Sequence, residues 1–360
     1  MKINIKKPKI SVVMSVYNGE KYLKEAVMSL INQTFADWEL IAVNDCSADS
    51  TREILEEYAR IDERIKVYNN ETNLKLAKSL NKGVQNASGK YIARMDCDDI
   101  SLPERLEKQY RFMEENPDIS LSSCRFFTLK NGVYSSGGSG TRCDFEAVKA
   151  MLLVSNPILH PGVIAKAQAL KSFPYDENLT CTEDLELWTR MAQNGLKLEI
   201  LDEYLMIYRL HDKQITHTTY ERQKLEVMEI EQKYHGSLLE RIDEETADFY
   251  INGVYFREKT DIKKLCAFFG KVKAVNKKKN AFRRDCISYA FLEILAEYKR
   301  HGVGSFDIIR GLLHINPVFL AHEMKARKKR AEKDAKKCIE TAEKNGLDVN
   351  FLSFEMRKMQ

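Results

Sequence analysis

Between residues 9 and 116 the hydrophobic period of the chain switches repeatedly, and this alternation limits the fold more than any other feature. The run "ISVVMSVY" is apolar almost throughout, as expected of a strand covered on both faces. Behind it, "GEKYLKEAVMSLINQ" spaces Tyr22, Leu23, Ala26, Val27 and Leu30 along one side of a helix. The pair then recurs. "WELIAVND", "RIKVYNN" and "YIARMD" read as strands, and "SADSTREILEEYARI", "LKLAKSLNKGVQNA" and "SLPERLEKQYRFMEEN" as helices. Strands that alternate with helices are joined by crossovers, which implies a parallel sheet with helices on its faces. Two helix starts are spaced as capping boxes, Ser50 with Glu53 and Ser101 with Glu104, and Pro103 falls in the first turn of the second.

Beyond "ISLSSCRFFTL" the pattern loosens. "SSGGSGTRC" reads as a loop and "SNPILHPGVIAKAQAL" as a strand between turns. "TCTEDLELWTRMAQNG" reads as a helix stopped by Gly195, and "LKLEILDEYLMIYRLH" as one or two strands. From about residue 218 the chain is nearly all helical in pattern. "CISYAFLEILAEYKRH" places Ile287, Phe291, Ile294, Leu295 and Tyr298 on one face. The expected organisation is a catalytic α/β unit over residues 1–217 and a helical, basic region over 218–360.

Lys and Arg number 57 against 53 Asp and Glu, a formal charge of +4, so the total gives no reason to expect nucleic acid as a partner. The C-terminal third is locally basic through "KVKAVNKKKNAFRR" and "KARKKRAEKDAKK". Eight cysteines show no CxxC pair and no zinc spacing. No run of roughly 20 apolar residues is present, and the short N-terminal apolar run is a poor signal peptide. A reduced, cytoplasmic setting is expected.

Polar signals gather at the carboxyl ends of the expected strands: "VYN", "VND" and "MDCDD". Ligands of open α/β sheets bind at that edge. In "ARMDCDDIS" three carboxylates, Asp96, Asp98 and Asp99, fall within four positions. A helix start favours Asp99, but Asp96 and Asp98 precede it. Oxygen ligands at this spacing suit Mg2+ or Mn2+, which bind substrate phosphates through one or two carboxylates. The turn "SVYNGEKYL" lacks GxGxxG, and no GxxxxGK[ST] occurs. No glycine loop cradles phosphate, which leaves more of the neutralisation to a metal.

"SVVMSVYNGEKYLKEAVMSLINQTF", "VNDCSADST", "GKYIARMDCDD" and "TEDLELWTRM", in this order, resemble the family 2 glycosyltransferases of the GT-A fold over roughly residues 8–215. Within that family the chain is most similar to bacterial enzymes that build capsular, exopolysaccharide or O-antigen glycans. The resemblance implies a Rossmann-like, mostly parallel central sheet flanked by helices, with the helical region as a C-terminal extension. It implies that Val16 and Tyr17 line the nucleoside pocket and that Asp45 bonds the base. Where the family usually has Asp-Asp-Gly, this chain has Asn44-Asp45-Cys46. Asp96 would meet ribose or metal, Asp98 would be the main metal ligand, and Arg94 would reach the diphosphate. The Glu-Asp motif falls on Glu183 and Asp184, with Asp184 the expected general base. A capping box of Thr180 with Glu183 is the competing reading of the same stretch. His211, beside Tyr-Arg, would approach the diphosphate or metal, and His160 the acceptor side of the sugar-nucleotide site. His217, His235, His301, His314 and His322 read as surface residues.

The implied function is inverting transfer of a sugar from a nucleotide diphosphate sugar, a UDP-sugar first, to a hydroxyl of a glycan or lipid-linked acceptor in bacterial surface polysaccharide synthesis. Mn2+ or Mg2+ would be the cofactor. Two other readings stand beside it: a sugar-nucleotide nucleotidyltransferase, for which "YNGEKYL" is a poor phosphate loop, and a nucleotide-binding assembly partner without catalysis. The basic runs read either as solvated helix faces or as a peripheral attachment to an anionic membrane surface, at the inner face of the cell membrane.

Overall fold

A computed structural model describes residues 7–137, 142–211 and 219–347. The expected alternation is present. Strands β1 (Ile10–Val16), β2 (Trp38–Asn44), β3 (Ile65–Asn69) and β4 (Tyr91–Arg94) are joined by α1 (Leu23–Ile31), α2 (Thr51–Ile61) and α3 (Leu76–Asn86). All four pair in parallel, in the order β3-β2-β1-β4. β1 therefore lies between strands that follow it in opposite directions across the sheet. That reversal opens a crevice at the carboxyl ends of β1 and β4.

The sheet continues past β4 with β5 (Ile100–Ser101), β6 (Ile119–Lys130), β7 (Val133–Gly137), β8 (Ile164–Lys166) and β9 (Lys197–Arg209). The spatial order runs β4-β8-β6-β9-β5, with β7 paired to β6. β8 is antiparallel to both neighbours, whereas β6 and β9 are parallel. "ISLSSCRFFTL" is thus a long strand, and "LKLEILDEYLMIYRLH" is a single one of 13 residues. "SNPILHPGVIAKAQAL" shrinks to a 3-10 turn, three strand residues and the helix α6 (Ala167–Ser172). Helices α4 (Arg105–Glu115), α5 (Phe145–Met151) and α7 (Glu183–Gln193) complete this part. Gly195 does end α7, in the left-handed conformation at φ +76°. Of "SSGGSGTRC", residues 135–137 belong to β7 and residues 138–141 lie outside the described residues.

The pleat of β1 divides the core. Ile10, Val12, Met14 and Val16 face α1 through Leu23, Ala26, Val27 and Leu30. Val13 faces α3 through Leu80 and Val84. Gly83 allows that approach, because a Cβ there would stand 2.5 Å from Val13 Cγ1. The second of these clusters continues without a break into the C-terminal helices. Trp188 of α7, Tyr234 of α8 (Tyr220–Leu238), Phe269 of α10 (Ile262–Lys279) and Phe291 of α11 (Arg284–Arg300) belong to it. Ile287, Phe291, Ile294, Leu295 and Tyr298 are all buried, as their spacing requires.

None of the three capping boxes read from the sequence forms, the competing one at Thr180 included. Ser50 precedes α2, but Asp49 Oδ1 takes the Thr51 N–H, at 3.0 Å. Ser101 belongs to β5, and α4 starts later, at Arg105. Thr180 donates its backbone N–H to Glu226, while Thr182 is the residue before α7 and donates its hydroxyl to Glu226 as well. His235 is a second correction. It is 2% exposed, packed edge-on against Tyr250 with Nε2 3.2 Å from the Leu153 carbonyl. Its neighbours along α8 are polar enough to suggest a surface, but the helix is enclosed between α7 and the π-helical turn Tyr250–Tyr255 after α9 (Glu244–Phe249). His301, His314 and His322 are exposed, and His217 lies outside the described residues.

After α12 (Ser305–Leu312), the last helix, α13 (Pro317–Lys344), carries the basic run "KARKKRAEKDAKK". Part of that run is structural. Cys338 and Ala342 pack on Phe127, Tyr204 and Ile207. Lys337 meets Glu203 at 3.0 Å and Lys344 meets Glu104 at 2.6 Å. Beneath them Asp334, 2% exposed, stands 3.3 Å from the buried Arg125 guanidinium, which also binds Asp202 at 2.6 Å. No helix among the described residues is long and apolar enough to cross a membrane. Removing one partner of a buried ion pair leaves a charge behind and costs about 3–5 kcal/mol. Asp202 still partners Arg125, so Asp334→Ala is expected to fall near the lower end of that range. Urea unfolding of the variant measures it, and a loss under about 1 kcal/mol would mean the pair does not anchor α13.

Candidate active site at the carboxyl ends of the strands

The crevice between β1 and β4 opens into a cleft of about 1730 Å³. Single ligands commonly fill about 300–1,000 Å³, so this cleft has room for two. Nine of the ten residues singled out from the sequence line it: Tyr17, Asp45, Arg94, Asp96, Asp98, His160, Glu183, Asp184 and His211. Val16 does not. It is the last residue of β1, its side chain is fully buried in the core, and its carbonyl accepts the Asp45 N–H at 2.8 Å. Strand alternation turns Tyr17 outward where Val16 turns in.

On one side of the cleft, Asp45 organises the loop ahead of α3. Its Oδ1 accepts from Asn70 Nδ2 and the Leu74 N–H, both at 2.8 Å, and Oδ2 accepts from the Lys75 N–H at 2.9 Å. A carboxylate has about four acceptor positions, so one on Oδ2 stays open toward the cleft. Two neighbours pay for this geometry in backbone strain. Cys46 sits at φ +59°, the left-handed conformation that the family's glycine adopts freely. Lys75 sits at φ +72° and ψ 172°, a region occupied almost only by glycine, at a cost of about 1–3 kcal/mol. Lys75 also lines the cleft. Nothing in its sequence context marks it, because the strain is set by what its N–H must reach.

At the end of β4, Arg94 is 4% exposed and forms an ion pair with Asp96. It is a buried counterion, not a cation at the surface. Asp98 Oδ2 lies 2.9 Å from His211 Nε2, and the His211 ring stacks on Tyr22. Asp99 Oδ1 accepts the Arg209 N–H at 2.9 Å, while its Oδ2 is buried with no hydrogen-bond partner among the described residues. One ligand atom from each of Asp96, Asp98 and Asp99 can be drawn from within 4.8 Å of the others. Burial pushes the Asp96 carboxyl up to about 6, against the pull of Arg94, and raises Asp99 further. An orphaned buried oxygen on Asp99, in a set of hard ligands of which Asp96 and Asp99 have raised pKa values, fits a divalent cation. Tyr22 escaped the sequence reading because its aromatic ring counts equally well toward the apolar face of α1.

Across the cleft, Glu183 and Asp184 open α7. Asp184 Oδ2 accepts from Asn156 Nδ2 at 2.8 Å, and its Oδ1 accepts its neighbour Leu185's N–H at 2.7 Å. His160, 8% exposed, places Nε2 2.8 Å from the Tyr175 hydroxyl and Nδ1 3.8 Å from Glu183 Oε1. Burial, reinforced by Arg94, lowers the His160 pKa well below the usual range, so the ring is neutral at pH 7. Burial first, then the Asp184 charge, pushes Glu183 up to about 8. Asp184 is raised less, because its hydrogen bonds and Arg94 favour the anion. The pair therefore divides its roles at neutral pH: Glu183 keeps its proton and Asp184 carries the charge. Glu226 of α8 holds this edge in place by accepting from Thr182 Oγ1 at 2.8 Å and from the Thr180 and Cys181 N–H groups. Asn156, Tyr175 and Glu226 went unread in the sequence, since each is a common polar residue far along the chain from its partner.

Comparison with known proteins gives the family and the fold. Residues 11–165 match the family model "Glycosyl transferase family 2". An uncharacterized glycosyltransferase of Methanocaldococcus jannaschii, MJ1057, is 40% identical over 222 residues, 61% of this chain and 77% of its own length. The TuaG glycosyltransferase of Bacillus subtilis, put forward for teichuronic acid biosynthesis, is 30% identical over 221 residues, 61% of this chain and 85% of its own. The Escherichia coli O-antigen biosynthesis glycosyltransferase WbnJ is 32% identical over 210 residues, 57% and 80%. Two solved structures share the fold: S. aureus TarS 1-349 in complex with UDP-GlcNAc, at 21% identity and TM-score 0.55 over 84% of this chain and 89% of that one, and the mannosyltransferase PcManGT of Pyrobaculum calidifontis with GDP-Man and Mn2+, at 13% identity and TM-score 0.51 over 92% and 88%. The protein is thus an enzyme of glycosyl transfer. It belongs to the family 2 glycosyltransferases, with the GT-A fold, which sets aside the nucleotidyltransferase reading.

The Glu183 proton has a consequence for stability. A carboxyl whose folded pKa exceeds its unfolded value stabilises the fold below the unfolded pKa, near 4.5, and that stability is lost as pH rises through the folded value, about 8. Glu183→Gln removes the titration. Between about pH 5 and 8.5 the melting temperature of the wild type is expected to fall more steeply than that of the variant. Parallel curves would mean that Glu183 is ionised throughout.

Proposed function

We propose that this glycosyltransferase takes a nucleotide diphosphate sugar, a UDP-sugar before any other, and passes the sugar with inversion to a hydroxyl of a glycan or lipid-linked acceptor during assembly of a bacterial surface polysaccharide. The observation that carries the reading is one cleft with the Asp45 carboxylate on one side, a carboxylate cluster at its centre and a Glu-Asp pair, Glu183 buried and Asp184 half-buried, on the other. The relatives named for teichuronic acid and O-antigen synthesis support the polymer class, and the UDP-GlcNAc complex of TarS supports the donor class.

In this reading residues 1–217 are the catalytic unit and residues 218–360 brace it. Tyr17 flanks the nucleoside and Asp45 Oδ2 accepts from the base. Asp96 faces the ribose, with Arg94 fixing its orientation and adding positive field toward the diphosphate. Asp98, with His211 and the neighbouring aspartates, would hold Mn2+ or Mg2+, as the Mn2+ complex of PcManGT supports. Such an ion supplies charge neutralisation at the diphosphate.

Asp184 accepts the proton of the acceptor hydroxyl. The acceptor oxygen forms its bond to the anomeric carbon as the bond to the diphosphate oxygen breaks, and the nucleotide leaves with the electron pair. Glu183, protonated near pH 7, is a poor nucleophile, which favours one displacement and therefore inversion. His160 and Tyr175 border the acceptor side as a neutral, hydrogen-bonded pair.

Two substitutions test the assignment. Asp184→Asn preserves size and the Leu185 contact but takes up no proton. Turnover is expected to fall by a factor on the order of 10² to 10⁴ with donor affinity nearly unchanged. Wild-type turnover in a folded variant would move the base elsewhere, first to Glu183. In Asp98→Ala, the increase in melting temperature that UDP produces only with Mn2+ should disappear, while the fold survives. Metal dependence as in the wild type would overturn the role of Asp98.

A further inference from the structure

Five of the twelve exposed large apolar side chains among the described residues fall within residues 306–324: Phe306, Ile309, Leu313, Val318 and Met324. Phe306, Ile309 and Leu313 are 81%, 56% and 79% exposed. Their spacing along α12 and its C-cap puts them on one face. This is not a helix that has failed to dock. Its opposite face is seated on α11 through Ile308 and Gly311, and a Cβ on Gly311 would lie 2.6 Å from Leu295 Cδ2. Lys273 Nζ also holds the following turn through the His314 carbonyl, at 2.9 Å. The apolar face is therefore presented outward by a fixed helix.

The surroundings are basic. Residues 299–330 hold eight Lys and Arg against two acids, the exposed Asp307 and the buried Glu323; Arg300, Arg327 and Arg330 pair with Glu297, Glu293 and Glu323, Lys328 comes within 4.0 Å of Glu332, and Arg310, Lys325 and Lys329 are exposed. On α13, Val318, Lys325 and Lys329 recur at seven- and four-residue intervals along one face, away from the buried Asp334. Arg310 is exposed beside Ile309. Apolar side chains projecting from a cationic rim are complementary to the headgroup and upper acyl region of an anionic bilayer. A second copy of the chain fits poorly, since a two-fold contact would press like charges together.

We propose that α12 and the first turns of α13 form a peripheral docking surface for an anionic lipid bilayer, with Phe306, Ile309 and Leu313 entering the interface and Arg310, Lys325, Lys328 and Lys329 meeting the headgroups. This goes beyond the transfer reaction, and it needs no acceptor to be tested.

The test is co-sedimentation of the full chain with vesicles of phosphatidylcholine alone or with about one third phosphatidylglycerol. The wild type should bind the anionic vesicles at low salt, bind neutral ones weakly, and release as salt rises past about 0.5 M. The triple variant Phe306→Ser, Ile309→Ser, Leu313→Ser should lose at least about tenfold in partitioning. Lys325→Gln, Lys328→Gln and Lys329→Gln should each lose about fivefold. Melting temperature and hydrolysis of the sugar nucleotide should stay at wild-type levels in all of them, since none of these residues lines the cleft. Equal sedimentation with both vesicle types, or unchanged binding by the apolar triple variant, would overturn the proposal. So would light scattering that shows a wild-type dimer converted to a monomer by the apolar triple variant, because the face would then be a self-contact.

Discussion

Carboxylate repulsion at the end of β4 is the constraint around which this protein is arranged. Asp96, Asp98 and Asp99 crowd one turn, and burial makes their mutual repulsion costly. Two arginines, each from an element that packs beneath the turn, offset part of it. Arg94, the last residue of β4, holds Asp96, and Arg105, fully buried at the start of α4, donates to the Arg94 carbonyl at 2.6 Å and lies close enough to Asp99 to feel its charge. Burial lowers even Arg105 to about 10, a measure of how little water reaches this place. A divalent cation would relieve the repulsion that the arginines leave, which in the proposed reading is its reason, and through it a diphosphate's, to bind at this point.

The helical region is part of the same arrangement. Glu226 from α8 secures the segment that delivers Glu183 and Asp184, and Asp334 from α13 sits under the long strands β6 and β9. Both acids are buried where a sequence reading expects solvated helix faces. The C-terminal basic run likewise divides in two. Lys337 ties α13 to β9 through Glu203 and Lys344 ties it to the start of α4 through Glu104, while Lys325, Lys328 and Lys329 are exposed.

The parallel half of the sheet was legible because each strand and helix declares itself within some fifteen residues, by period alone. Asp45, Asp96, Asp98 and the Glu-Asp pair were legible for a related reason: they sit at strand ends or helix starts, where an acid needs a purpose. The caps at Ser50, Ser101 and Thr180 misled because helix starts shift by a residue or more in the fold: Asp49 serves α2, α4 begins only at Arg105, and Thr182 rather than Thr180 precedes α7. His235 misled because its partners Tyr250 and Leu153 come from elsewhere in the chain. Val16 was placed one position off the wall, an error set by the two-residue period of a strand.

A difference between the two sides of the cleft follows from this. In the proposed reading the donor side is made by successive βα connections, Tyr17 after β1, Asp45 after β2 and Asp98 after β4, so its chemistry is encoded in short motifs. The opposite side is made by contacts that span the chain: Asn156 to Asp184 over 28 residues, His160 to Tyr175 over 15 and Glu226 to Thr182 over 44. Residues that meet only in the folded state can change in pairs without disturbing any local pattern. If the cleft works as proposed, the donor chemistry stays readable in sequence while the identity of the acceptor is free to drift, and the wall around His160, Tyr175 and Asn156 is where its shape is to be read.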